Sequence, residues 1–326
     1  MFADNAKHRP FPIGVLPIRG RSRAFSLVAS SVLALAFVPS QSLAQDTSPT
    51  AVEDVVVTGR NLRKAVDEFV SEVTLPPPGH GPARWGRSIC VGVVNLQQNA
   101  AQILIDRVSD AAASINLEAQ GPDCDPNILI IASAEADVLA NALVERSPLA
   151  FRPRYSGSSQ SRIALEKFRT STAAVRWWHV SMPVMRDGSP AVRLPGEEAA
   201  PMIPGSGLLT TEVTNRLLRS FVILDISKME GLNFQQVGDY VAMVALAQMN
   251  PEADTSSFST IMNVFDEPTQ HAGLTQWDRN YLQSLYGSYL NQRRPNAQVG
   301  AIGSRMARDI RISRRDSEAQ DTPSQD

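Results

Sequence analysis

Hydrophobic and polar positions along this chain follow two periods, broken by one continuous apolar run near its start. The run is Phe25–Val38. It follows Arg19, Arg21 and Arg23 and precedes Ser42-Leu43-Ala44, small residues suited to a cut before Gln45. A basic start, a short apolar core and small residues at the cut predict a secretory signal peptide over 1–44. The run is too short for a permanent span, and no later stretch reaches the ~18 apolar residues that would be needed. The mature chain is therefore expected to be periplasmic or secreted.

Helical spacing then appears at Leu62, Ala65, Val66, Phe69, Val70 and Val73, and stops at Pro76-Pro77-Pro78-Gly79. Residues 45–86 read as an extended segment, this amphipathic helix and a Pro-rich linker. Ile89–Val94 reads as a buried strand, with Asn95 capping a helix whose stripe includes Leu104, Ile105, Val108 and Ala112. Asn127–Ala132 is a second apolar strand, and Ser133 caps a second helix ending near Arg146. Two strands joined by a helix predict a parallel pair. Pro153–Thr172, rich in Ser and Arg, reads as a loop, and Val175–Ser181 as a strand. Pro183–Pro204 reads as an irregular connection, and Leu208–Val213 and Leu217–Ile226 as strands. Phe234–Met249 is a strongly apolar helix ended by Asn250-Pro251. Ser259–Phe265 is a short element, and Thr275 caps a last helix.

These elements predict one α+β domain over 87–289, α/β-like in its first half, with a mixed sheet of about five strands packed on helices. Past Tyr289 the chain turns polar and Arg-rich, so 290–326 is expected to be a disordered tail. Arg305, Arg308 and Arg311 with Ile302, Met306 and Ile310 could instead form a basic helix at a membrane surface, but Asp309 and two glycines weaken that pattern.

Composition adds two constraints. The hydrophobic fraction, 43%, is enough for a sizeable core. The leader carries Lys7, Arg9, Arg19, Arg21 and Arg23 against Asp4, so its loss takes the net charge from −2 to about −6. A mildly acidic exported chain is a poor fit to nucleic acid. The two cysteines, Cys90 and Cys124, are expected to pair in an oxidising compartment, stabilising by roughly 3–4 kcal/mol. The alternative is two buried thiols.

Chemistry is harder to find. There is no G-x-S-x-G, no P-loop and no dinucleotide fingerprint, and no cofactor is expected. The mature chain holds three histidines, His80, His179 and His271. His179 lies inside a strand beside Trp177 and Trp178, which face opposite sides. It reads either as a general base in a cleft or as a hydrogen-bonded strand residue. Asp225 and Asp239, in buried surroundings, read as catalytic acids or as hydrogen-bonded structure. Gly238 costs about 1 kcal/mol inside a helix, which close packing against a neighbour would offset.

The order of strands followed by a buried helix resembles the N-terminal half of the zincin metallopeptidases. The tail Ile261–Phe265 with Leu274-Thr275-x-Trp277-Asp278 is similar to that of secreted zincin-like proteins of Gram-negative bacteria. That resemblance spans roughly Arg87–Gly287 and implies a zincin-like N-terminal subdomain. The family carries H-E-x-x-H on the buried helix; here Val237–Leu246 reads VGDYVAMVAL, without His or Glu, so no metal site or peptidase activity carries over. The resemblance implies a pseudo-enzyme acting as a binding or interaction module. The alternative is a hydrolase using His179 with Asp225 or Asp239.

Val52–Arg60, VEDVVVTGR, resembles the energy-coupling box of TonB-dependent outer-membrane receptors. That resemblance implies an envelope partner of TonB type, engaged by strand addition through Val55, Val56, Val57 and Thr58. The plain alternative is a first strand docked on the protein's own core.

Overall fold

The structure, a computed structural model of the 326-residue chain, describes residues 59–155, 160–197 and 207–320. The predicted signal peptide, 1–44, and the Val55–Thr58 segment lie outside the described residues. The fold is mixed α/β. Strands β1 (Ala83–Arg84), β2 (Ser88–Ile89) and β3 (Val91–Val94) follow helix α1 (Gly59–Val73). Then come α2 (Gln98–Ala113), β4 (Glu118–Ala119), β5 (Ile128–Ser133), α3 (Ala136–Arg146), α4 (Pro148–Phe151) and α5 (Arg162–Thr170). The second half holds β6 (Val175–Met185), β7 (Val213–Asp225), α6 (Phe234–Leu246), α7 (Gln276–Gly287) and α8 (Pro295–Gln320).

The main sheet runs β3-β5-β7-β6, with β1 beside the first part of β7. All pairings are parallel except that of β6 with β7. β3, α2 and β5 form the expected parallel unit, with Val91 opposite Ile128. β2 and β4 make a separate small parallel pair. Cys90, between β2 and β3, is bonded to Cys124 on the approach to β5 (Cα–Cα 6.0 Å).

Alternation along the strands places a core on each face of the sheet. On one side Trp177, Val222, Leu224 and Ile130 meet α1, α2, α6, α7 and α8. On the other, Trp178, Val180, Phe221 and Ile223 meet α3, α4 and α5. Phe151 of α4 stacks on Phe221 with ring centroids 4.5 Å apart.

Several expectations are corrected here. The 290–326 tail is not disordered through its described part: α8 packs on α1 and α7, and Ile302, Met306 and Ile310 are buried. Its arginines sit around a narrow apolar stripe, so composition hid a core helix. The linker before Arg87 contains β1 and the buried Trp85. The Ser/Arg-rich stretch contains α5, capped by Ser161, whose hydroxyl accepts from the Ala164 N–H. β6 runs on through Pro183 to Met185. The Pro183 carbonyl accepts from Ala191 on the outer edge, so the missing N–H interrupts no ladder bond to β7. Leu217–Ile226 belongs, as far as Asp225, to the strand β7, which starts at Val213; the rest of Leu208–Val213 is not strand, apart from a bridge from Thr210 to Gln292. Asn95 does not cap α2, which starts after Gln97, and Ser133 bonds the Glu135 N–H rather than capping α3.

α6 is buried all round from Gln236 to Leu246. Its N-terminus carries a complete capping box from Asn233 and Gln236. Its one charge, Asp239, accepts from Arg107 Nε at 2.6 Å and Nη2 at 2.5 Å, and from the Leu274 N–H at 2.7 Å. Gly238 lets α2 lie close: a Cβ there would stand 2.9 Å from Arg107 Cβ and Cγ. That close packing is the expected compensation for a mid-helix glycine. Gly273 does the same on the other side, where a Cβ would meet Asp239 Oδ2.

The pair is asymmetric, because the Asp239 side chain is 1% exposed and that of Arg107 is 34% exposed. Arg107→Ala strands a buried carboxylate and is expected to cost about 3–5 kcal/mol in urea unfolding. Asp239→Ala leaves a guanidinium that can reach water and should cost less. The double variant should cost less than the sum of the two. The reverse order of the single variants would contradict this account.

Candidate functional site

A cleft of about 480 Å³ opens beside β6. One wall is α5 with the turn that follows it, and the other is the chain leaving α6, Gln248–Glu252, together with Leu75. The volume falls in the roughly 300–1,000 Å³ range of small-ligand sites. The floor is β6 itself, from Val175 to His179.

β6 is an edge strand. The Asp225 N–H donates to the Ala174 carbonyl, which sets the phase of the β6–β7 ladder. Backbone groups of Arg176, Trp178 and Val180 turn toward β7, and those of Val175, Trp177 and His179 turn toward the cleft. Among the described residues no other strand pairs with β6 along this stretch. Open edges invite unwanted pairing and are usually covered. Here two polar bridges span the cleft. Lys167 Nζ bonds both Glu252 oxygens at 2.8 and 2.7 Å, and Gln160 Nε2 donates to the Leu75 carbonyl at 2.6 Å.

Arg176 is the unusual charge in this floor. It is 3% exposed, its Nε has no hydrogen-bond partner, and Nη1 reaches the Arg169 carbonyl only at 3.4 Å. Burial lowers its pKa, against the pull of Asp137 and Asp225. A buried guanidinium with spare donors favours a ligand that brings acceptors.

The two tryptophans do face opposite ways. Trp177 Nε1 donates to the Met249 carbonyl and Trp178 Nε1 to the Phe151 carbonyl, so each anchors a different core. Both also line the cleft.

His179 reaches the cleft but its ring is committed elsewhere. Nε2 lies 2.8 Å from the Val244 carbonyl. A carbonyl only accepts, so Nε2 carries the proton and Nδ1 is left as the acceptor. The bond belongs to a set. The last carbonyls of α6 have no helical partners and belong to fully buried residues. His179 takes Val244, Trp85 Nε1 takes Ala245 at 2.9 Å, and Tyr286 Oη takes Leu246 at 2.7 Å. Burial pushes the His179 pKa down to about 4, and the Val244 bond only partly opposes it.

Asp225 and Asp239 have other partners. Asp225, at the end of β7, accepts from the Ser227 N–H and hydroxyl and pairs with Lys228 at 3.1 Å. Burial works to raise its pKa, but those bonds outweigh it and hold the carboxylate below its usual range. Asp239 is bound by Arg107 and Leu274. Neither acid lines the cleft. His271 is buried with Nε2 3.5 Å from Glu267, and His80 is half-buried after the Pro-rich turn. Among the described residues no cluster of three or more His, Cys, Asp and Glu could hold a metal ion. Among the same residues no helix is long and apolar enough to cross a membrane.

The sequence pointed to His179, Trp177 and Trp178 but not to Arg176, Lys167 or Glu252. An arginine inside an otherwise apolar strand was the available signal for the first. The Lys167–Glu252 bridge joins residues 85 apart and leaves no local trace.

The His179 shift fixes a pH dependence. The folded pKa is about 4 and the ordinary value 6.5, so the unfolded chain binds the proton first. This contribution is complete above pH 6.5 and is lost as pH falls toward 4, by up to about 3 kcal/mol. His179→Gln has no such titration. The stability gap between wild type and this variant should therefore narrow from pH 7 to pH 4 in urea unfolding. A gap independent of pH would contradict the burial of a neutral imidazole.

No family model, curated protein or solved structure matches this chain.

Proposed function

We propose that the protein is an exported, non-catalytic binding module that takes an extended peptide along the edge of β6. The observation that carries this reading is the cleft floor. It presents backbone groups of Val175, Trp177 and His179 at strand spacing, beside the spare donors of Arg176. An added strand would meet the backbone groups with its own amides, and Arg176 would take a peptide carbonyl or carboxylate. The Lys167–Glu252 bridge, between two exposed side chains, contributes ~0–1 kcal/mol and can open at little cost.

The apolar run at Phe25–Val38 and the Cys90–Cys124 disulfide support a periplasmic or secreted location. The order of elements ending in α6 supports the zincin-like, pseudo-enzyme reading. The hydrolase alternative finds less support, since His179, Asp225 and Asp239 each bond a different group. Engagement of a TonB-type partner through Val55–Thr58 remains a separate proposal, resting on that motif alone.

The test is amide NMR of the mature protein titrated with a mixed-sequence hexapeptide library. Binding should shift the amides of Val175, Trp177 and His179 more than those of Arg176 and Trp178, which are tied to β7. Thr172→Trp, at an exposed position lining the cleft, should abolish those shifts without changing the melting temperature. Absent shifts, or shifts unaffected by this variant, would overturn the reading.

A further inference from the structure

A second cavity, of about 300 Å³, lies where β1 meets the first part of β7. Its walls carry Arg84, Arg87, Arg186 and Arg216 against a single acid, Glu212. The whole chain carries a net charge of −2, so this concentration of cations runs against the background.

The four arginines are not equivalent. Arg84 Nη1 donates to the carbonyls of Leu285, Tyr286 and Ser288, closing the end of α7. Arg186 pairs with Glu212 at 2.9 Å, exposed to solvent. Arg87 is exposed. Arg216 is half-buried, and its guanidinium makes no hydrogen bond or ion pair to the described residues. Two glycines shape the space around its guanidinium. A Cβ on Gly86 would stand 3.1 Å from Nε, and one on Gly188 would stand 3.0 Å from Nη1. Gly188 has φ +89°, a conformation that favours glycine, so the turn that closes over Arg216 is built for it.

Register adds a second argument. Arg84 and Arg216 are direct cross-strand partners in the β1–β7 pair. Like charges placed directly opposite are destabilising. The carbonyls at the end of α7 compensate Arg84. Nothing described compensates Arg216. The arrangement has a cost that a bound anion would offset.

We infer that this cavity is a binding site for a phosphoryl oxyanion, as free phosphate or as the phosphate of a small monoester, with Arg216 as its principal contact and Arg87 as a second. A phosphoryl group carries close to two negative charges and three acceptor oxygens, and so engages more than one guanidinium. A carboxylate brings one charge, and Glu212 already supplies one of those. This site lies at the opposite end of β6 from the cleft and does not depend on the peptide-binding proposal.

Isothermal titration of the mature protein at fixed ionic strength tests it, with inorganic phosphate, glycerol 3-phosphate and acetate as separate probes. Wild type should bind at least one phosphoryl probe in the millimolar range or tighter and bind acetate at least tenfold more weakly. Comparable affinity for the two phosphoryl probes would mark a site for the terminal group, and preference for the monoester a site that also holds its organic part. Arg216→Gln should weaken phosphoryl binding by about tenfold or more, the loss of a charge-assisted contact. Glu212→Gln should strengthen it, by freeing Arg186, and remains informative if the Arg216 variant does not fold. No phosphoryl binding by wild type, acetate binding of equal strength, or unchanged affinity in Glu212→Gln and in a folded Arg216→Gln would overturn the inference.

Discussion

A helix buried on every side has nowhere to send its polar groups except into the protein, and α6 imposes that demand on the rest of this fold. Its N–H groups at the start are met by its own capping box. Gln236 reaches on to the carbonyls of Pro268 and His271 and holds the next loop against the helix. Its mid-helix carboxylate requires Arg107 from α2 and the Leu274 N–H from the approach to α7. Its last carbonyls require side chains from β6, from the segment after β1 and from α7. Elements far apart in the chain are thus fixed by the rule that a buried acceptor left unpaired costs about 1–3 kcal/mol.

The same demand decides what the residues around the cleft can do. An imidazole that must donate to Val244 is locked in one tautomer, and its burial disfavours the charged form. It is therefore poorly suited to cycle protons near neutral pH. Asp239, on α6, serves to hold that helix to α2. The groups left with capacity to spare are different ones. Among them are the outward backbone of β6, the buried Arg176 and, at the other end of the same strand pair, Arg216. These groups carry the binding proposals, and they sit where the fold has finished meeting its own needs.

Much of the architecture was legible from periodicity. The α1 stripe, the β3–α2–β5 unit and α6 were all marked by apolar spacing, and the pairing of Cys90 with Cys124 was expected from the predicted signal peptide. What could not be read was set by tertiary context. The stripe of Ile302, Met306 and Ile310 needs α1 and α7 to become a core, and arginines outnumber it locally. Pro183 usually ends a strand, but on an edge its missing N–H has nothing to lose. Trp85 and Tyr286 had no sequence signal as caps, because the carbonyls they meet lie 160 and 40 residues away. His179 stood out as a residue, but its role depended on the proximity of Val244, which spacing along the chain does not reveal.

His179 serves the end of α6 rather than proton transfer in the cleft. The nitrogen NMR spectrum of its ring across pH tests this. The ring should be neutral with the proton on Nε2 from pH 7 downward, titrating only near pH 4. A proton on Nδ1, or a titration close to the ordinary value of 6.5, would show an imidazole free to exchange protons in the cleft and would contradict it.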